Sequence, residues 1–375
     1  MWNIGIIMQN ANLKMKNNNL KLKNKFIELE HGGGGKKSEE LIAEIRKIIG
    51  GGKNNNWKNM RDDGATLDLT PTLSLSRRGG KYGRDAKFCV STGALKCNKL
   101  VFTTDAFIVD PLFFPGGDIG KIAMCGTIND LSVMGAKPIG ISLSLVIEEG
   151  FPMADLKKIM QSIGKVSKET GVPIVTGDTK VMERGKIDKI EITTSGVGLA
   201  ENIISNGGAK AGDYIIVSGD LGEHTVAILS SRFNYKSKIK SDCRSLTKEI
   251  QSVAKYLNSC KDPTRGGLAA ILNEIAEKSN TKIILDEKIL PFKKETIAVS
   301  ELLGIDIFSL ASEGRFAASV SSENVKKVLK ILKKYNSEAK IIGRVEKGKG
   351  VFLQTNLGSI RPIEALNGKL IPRIC

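Results

Sequence analysis

Four short acidic segments carry residue types suited to metal or phosphate chemistry: Thr103-Thr104-Asp105, Asn129-Asp130, Gly177-Asp178-Thr179-Lys180 and Asp262-Pro263-Thr264-Arg265-Gly266-Gly267. Carboxylates are hard oxygen ligands that suit Mg2+, and glycine-rich turns let main-chain N–H groups approach phosphate oxygens. Any one such segment is more often a turn or a helix cap. Four in one chain, two of them with an adjacent Lys or Arg to neutralise phosphate, point to a metal–nucleotide site. Gly32, Gly33, Gly34 and Gly35 lack the GxxxxGK[ST] spacing. Followed by Lys36, Lys37 and Ser38, they read either as a linker or as a loop that covers a triphosphate. The chain stops at a thiol, Ile371-Pro372-Arg373-Ile374-Cys375. A terminal cysteine is usually an accident of length, yet on a mobile tail it can visit both its own active site and a partner's.

These groups need a scaffold, and the hydrophobic pattern supplies one. Residues 100–104, 139–147, 174–176, 190–196 and 214–217 are strand-like. Met153, Leu156, Ile159, Met160, Ile163 and Val166 recur at three- and four-residue steps, which predicts an amphipathic helix closed by Gly171 and Pro173. Residues 268–276 predict another helix. The four acidic segments then fall just after strands or just before helices. At 375 residues with 41% apolar content, two α/β domains are the expected architecture. They span residues 26–200, with a loop-like insertion at about 71–96, and residues 201–365, followed by a mobile tail, 366–375. Residues 1–25, rich in Asn and Lys without an acidic residue, read as a disordered extension.

The net charge of +17 raises nucleic acid as a partner. Lysine dominates that charge, however, and the aromatic residues are few and scattered, without the basic stripe interleaved with stacking residues of a single-strand binder. A binding module of that kind would leave the acidic segments without a purpose. The six cysteines show no CxxC pair and no zinc-finger spacing, so neither structural zinc nor a disulfide framework is expected. No apolar run is long enough to span a membrane, and the N-terminus lacks a secretory pattern. The expectation is a cytoplasmic protein without membrane or nucleic-acid contacts.

His31-Gly-Gly-Gly-Gly35, Thr103-Thr-Asp105, Asp110-Pro-Leu-Phe-Phe-Pro-Gly-Gly-Asp118, Gly126-Thr-Ile-Asn-Asp130, Gly177-Asp-Thr-Lys180, Asp262-Pro-Thr-Arg-Gly-Gly267 and the terminal Pro-Arg-Ile-Cys together resemble the hydrogenase expression/formation protein E family. The resemblance runs from about residue 26 to the end. It implies a two-domain, mixed-sheet aminoimidazole ribonucleotide synthetase-like fold, a homodimer formed through the N-terminal halves, and ATP with Mg2+ between the domains. It implies a carbamoyl dehydratase: Cys375 is loaded by a separate carbamoyltransferase, its S-carboxamide is dehydrated to a thiocyanate, and the cyanide passes to an iron-carrying scaffold complex of [NiFe]-hydrogenase maturation. Asp63, Asp105, Asp130, Asp178 and Asp262 become the candidate Mg2+ ligands. Asn129, Thr179 and Gly32, Gly33, Gly34 and Gly35 line the phosphates, Lys180 neutralises the transferring phosphoryl group, and Glu313 is the base.

The chain departs from the family pattern in places. Asp63 and Asp85 compete for the first metal position, and Asp63-Gly64-Ala65 fits better by its own residues. Ser312 stands where Asn is usual, and Glu223-His224 where Asp-His is frequent. The nearest alternatives are a related ATP-dependent phosphorylating enzyme, such as selenophosphate synthetase, and a non-catalytic homologue. The first predicts a cysteine near a glycine-rich N-terminus, whereas no cysteine precedes Cys89.

Overall fold

The computed structural model describes residues 40, 57–58, 65–68, 99–365 and 373–375. Gly32, Gly33, Gly34, Gly35, Asp63 and Asp85 lie outside the described residues, as do the 1–25 extension and the 71–96 insertion. The first half comprises β1 (Trp57–Lys58), β2 (Ala65–Asp68), β3 (Lys99–Phe107), the small hairpin β4 (Phe113–Phe114) and β5 (Gly117–Asp118), helix α1 (Ile119–Val133), β6 (Lys137–Glu148), α2 (Met153–Thr170), β7 (Ile174–Met182) and β8 (Ile190–Ala200). The second half comprises β9 (Tyr214–Val217), α3 (Glu223–Arg232), α4 (Thr247–Val253), β10 (Leu257–Lys261), α5 (Gly267–Ser279), β11 (Thr281–Asp286), α6 (Lys294–Leu303), β12 (Ala317–Val320), α7 (Val325–Leu332), β13 (Lys340–Lys347), β14 (Gly350–Gln354) and β15 (Ile360–Pro362).

Each half is built on one mixed sheet. The first has the order β1-β2-β3-β8-β6-β7, and the second β10-β12-β9-β13-β11-β14-β15. In the first, β8 runs antiparallel to β3 and β6, while β6 and β7 are parallel and joined through α2. Residues along β8 alternate strictly between buried and half-buried, so one face of the sheet packs on helices. The α2 helix follows the expected period: Ile159, Ile163 and Val166 are buried, and Gly171 ends it in the left-handed conformation.

Helix α1 is the hinge of the architecture. It is buried along nearly its whole length, which explains why its sequence shows little polar–apolar periodicity. One side packs on β3 and β8, and another meets the second half. The Asp118 carboxylate starts the helix by accepting from the Lys121 N–H at 3.0 Å.

Three of the acidic segments expected as loops are regular structure. Asp105 sits inside β3 and Asp130 inside α1, while Asp178 and Thr179 belong to β7. Local cues for turns (Asn-Asp, Gly-Asp) are outweighed there by tertiary pairing, since β7 continues parallel to β6 as far as Met182. Only Asp262 lies in a connection, between β10 and α5. Among the described residues no helix is long and apolar enough to cross a membrane.

Candidate active site

The site forms where the two halves meet. Thr103 and Asp105 stand two residues apart on β3, on the face that packs against α1. The Thr103 hydroxyl donates to Asp130 Oδ2 at 3.0 Å, joining the strand's acidic position to the helix's. Arg265 reaches over from the second half, with a guanidinium nitrogen 4.0 Å from Asp105 Oδ1. Its cationic form is favoured by Cys375 and further by Asp105, Glu313 and Asp130.

The Arg265 loop is held in place by its two glycines. Gly266 and Gly267 have φ of +77° and +58°, and a Cβ on Gly267 would lie 2.6 Å from the carbonyl oxygens of both Phe308 and Leu310. The 308–313 segment can therefore lie directly on this loop. The Ser312 N–H donates to the Pro263 carbonyl at 2.8 Å, and the Ser312 hydroxyl accepts from the Gly222 N–H at 2.8 Å. The Ser that replaces the usual Asn is thus fully employed.

Glu313 follows, with its main chain pinned from both sides. Its N–H donates to Asp242 Oδ1 at 2.9 Å, and its carbonyl accepts from the Asn129 side-chain amide at 3.1 Å. Gly314 permits this close seat, because a Cβ there would lie 2.0 Å from the Asp242 carbonyl oxygen. The Glu313 carboxyl is buried, and its Oε1 has no hydrogen-bond partner. Burial, followed by the charges of Asp262, Asp242 and Asp105, holds it well above the usual carboxylate range, with Arg265 opposing. A carboxyl in such a place binds its proton more tightly than an exposed one.

The end of the chain lies against this carboxyl. Burial and the neighbouring Glu313 push the Cys375 thiol up, a side-chain hydrogen bond to Glu313 adds to the rise, and Arg265 opposes it. The described end of the tail is thus docked, with Ile374 buried in the core beside Phe114 and Ile228.

The other expected site residues are placed differently. Asn129 is fully buried and its amide is committed to main chain: it donates to the Arg244 and Glu313 carbonyls at 3.0 and 3.1 Å, and accepts from the Leu246 N–H at 2.8 Å. In this structure it stitches the two halves together. Asp178, Thr179 and Lys180 are exposed on β7, at the sheet edge. Asp178 accepts from the Thr179 N–H at 2.9 Å and pairs with Lys180 at 3.0 Å, and the Lys180 hydrogen bond leads the causes that lower its pKa. None of the three is among the groups acting on Glu313 or Cys375. Among the described residues no group of three His, Cys, Asp or Glu side chains gathers as a metal site. Asp105 and Asp130 are nonetheless hard oxygen donors held close together, and Mg2+ commonly takes one or two carboxylates plus substrate phosphates. The donor set is suited to a metal that arrives with its nucleotide.

Sequence reasoning missed Asp242 and Arg232, noted His224 only as part of the Glu223-His224 pair without giving it a role, and read Arg265 only as a cation beside phosphate. Asp242, in Ser241-Asp242-Cys243, carried no motif signal. Arg265 did, since two glycines directly after a cation at a helix start mark a close approach.

Residues 88–200 match the family of AIR synthase related proteins, N-terminal domain, and residues 210–356 match the AIR synthase related proteins, C-terminal domain. The chain is 39% identical to carbamoyl dehydratase HypE of Cupriavidus necator over 360 residues, covering 93% of this chain and 95% of that protein. Its structure resembles HypE in a HypE–HypF complex with a TM-score of 0.74 and 36% identity, covering 88% of this chain and 100% of the other. It also resembles HypE in complex with ATP, with a TM-score of 0.71 and 32% identity over 93% of this chain and 100% of the other. With the two-domain fold, the acidic cluster and the docked terminal cysteine, these likenesses show that the chain belongs to the HypE family of carbamoyl dehydratases in hydrogenase maturation.

Proposed function

We propose that this protein dehydrates an S-carboxamide carried on Cys375 to a thiocyanate, at the expense of ATP. The observation that carries this reading is the seat of the Cys375 thiol beside Glu313, a buried carboxyl with an unpartnered oxygen, under Arg265 and the Asp105–Asp130 pair.

The chemistry sets clear demands. An amide oxygen leaves poorly, so R–S–C(=O)NH2 loses it only after transfer of a phosphoryl group to that oxygen. Two N–H protons must depart, and the oxygen leaves as phosphate while the C≡N bond forms. Glu313 in its ionised form is the base that accepts a proton from nitrogen in this reading, since burial makes that carboxylate strongly basic. Arg265 faces the same space and can balance charge developing on the departing oxygen. Asp105 and Asp130, with Asp262 and the undescribed Asp63, would hold Mg2+ when it is bound, and the ion would neutralise phosphate charge. Product leaves as R–S–C≡N, a cyanide donor for iron on a maturation scaffold. A carbamoyltransferase partner accords with the HypE–HypF complex of the relative. The free cysteines suit a reducing, cytoplasmic setting.

Lys180 and Asp178 enter through a homodimer. All nine residues of the edge strand β7 are exposed, including Val175 at 65% and Val181 at 69%, and an open apolar edge is a template for pairing. A second copy of the chain on this edge would cover Asp178, Thr179 and Lys180, which lie three strands from β3 in the sheet order.

The reaction is tested on the intact mass of the C-terminal peptide. Purified protein is incubated with its carbamoyltransferase, carbamoyl phosphate, ATP and Mg2+. A carbamoyl adduct that loses one water only when ATP is hydrolysed, and is absent from Cys375→Ala, is expected. An unmodified Cys375, with the transferase shown active on a known acceptor, would overturn the assignment.

A further inference from the structure

The three terminal residues are held by groups that take no part in the chemistry above. The Ile108 N–H donates to a carboxylate oxygen of Cys375 at 3.4 Å and the Asp110 N–H to the Arg373 carbonyl at 3.1 Å, so the tail lies alongside the chain that continues from β3. On its other side, His224 Nε2 lies 2.7 Å from the Ile374 carbonyl and Nδ1 lies 2.8 Å from the Ser241 hydroxyl. A carbonyl only accepts, so Nε2 carries the proton and Nδ1 accepts from Ser241. Burial lowers the His224 pKa, in keeping with a neutral ring. The Arg232 guanidinium donates to the Asp110 carbonyl at 2.8 and 2.6 Å and to the Arg373 carbonyl at 2.7 Å. Between these clamps the Ile374 side chain is 6% exposed, packed in the core with Phe114, Ile228 and Cys243.

Both carbonyls before the cysteine are therefore captured, and one side chain is buried as an anchor. We propose that His224, Arg232 and the apolar seat beneath Ile374 form a receptor for the tail: they set the fraction of time it is docked and so position the group on Cys375 against Glu313. His224 and Arg232 are positioning residues, and the receptor reads a branched aliphatic side chain at position 374 together with main chain. The catalytic half of this inference rests on the dehydration reading; the docking half does not.

Both halves are measured on the full-length protein. The first readout is the rate at which a maleimide modifies Cys375, followed on the C-terminal peptide. The second is single-turnover dehydration of protein already carbamoylated on Cys375, at saturating ATP. Ile374→Ser lies at the chain end, where it does not endanger folding. Loss of one buried aliphatic anchor shifts the docking equilibrium by roughly ten- to a hundredfold, which is shared between faster thiol modification and slower turnover, the two fold-changes multiplying to that shift. Arg232→Gln shifts both rates in the same directions, while Arg232→Lys and Ile374→Val recover most of the loss, and the KM for ATP stays unchanged. Unaltered thiol modification in both Ile374→Ser and Arg232→Gln overturns the receptor, whatever happens to turnover. Modification as fast as that of a free cysteine, together with wild-type turnover, overturns the positioning role. If wild type itself fails to lose water while the variants still unmask the thiol, the receptor stands and the dehydration reading fails.

Discussion

Glu313→Gln should make the protein more stable and inactive, and the gain in stability should depend on pH. The Glu313 carboxyl is 2% exposed, one of its oxygens lacks a partner, and Asp262, Asp242 and Asp105 face it with Arg265 as the opposing charge. Its folded pKa is raised well above the ordinary 4.5. For a raised acid, the folded chain holds a proton that the unfolded chain has lost. The group's contribution is fully present below about pH 4.5 and is lost as pH rises toward the folded value. That loss runs at about 1.4 kcal/mol per pH unit. Glutamine does not titrate, so the variant's advantage should grow as pH rises from 5 to 7. Urea denaturation of both proteins at pH 5, 6 and 7, at constant ionic strength, measures the gap. Single-turnover dehydration by the same variant should fall by roughly a hundredfold or more, the weight of a lost general base. A gap that stays constant with pH, or a variant less stable than wild type at pH 7, would refute the account of Glu313 as a strained, proton-holding carboxyl.

Asn129→Ala removes three buried hydrogen bonds that join the halves and should cost about 3 kcal/mol in urea denaturation. Asn129→Asp should cost more, because it aims a carboxylate at two carbonyl oxygens; an equal or smaller loss would contradict the stitching role. Gly314→Ala forces a Cβ against the Asp242 carbonyl, 2.0 Å away, and should cost roughly 3 kcal/mol or more, with dehydration abolished. Wild-type thermal stability in that variant would show that the 313–314 segment is free to shift. With its pKa raised, the docked Cys375 thiol should show a modification rate still climbing about tenfold per pH unit between pH 9 and 10, where a free thiol of pKa about 8.5 has levelled off. A plateau near pH 9 would mean that the thiol does not occupy this seat.

Much of the scaffold was legible in the residues. The period of Ile159, Ile163 and Val166 specified α2, and Gly171 its end, because an amphipathic helix on a sheet has one buried stripe and one exit. The chemistry-bearing residues were found by type and spacing, and the terminal cysteine and Glu313 by resemblance. What those residues do was not equally legible. Asn129 carries the same local signal whether it meets a phosphate or a neighbouring main chain; only the docking of the second half onto α1 turns its amide toward Arg244, Leu246 and Glu313. Asp178 and Lys180 read as a loop because Gly-Asp favours turns, yet pairing with β6 keeps them in a strand. The roles of Asp242, His224 and Arg232 could not be read locally, since they depend on contacts more than 70 residues away in the chain, to Glu313, Ile374 and Asp110. The sequence by itself determined the amphipathic α2, the two-domain architecture and the family, because these depend on local periodicity and residue chemistry. Only the tertiary structure decided which carboxyl loses its solvent and which carbonyls hold the tail, because burial and hydrogen-bond partners exist only once the two halves have closed on each other.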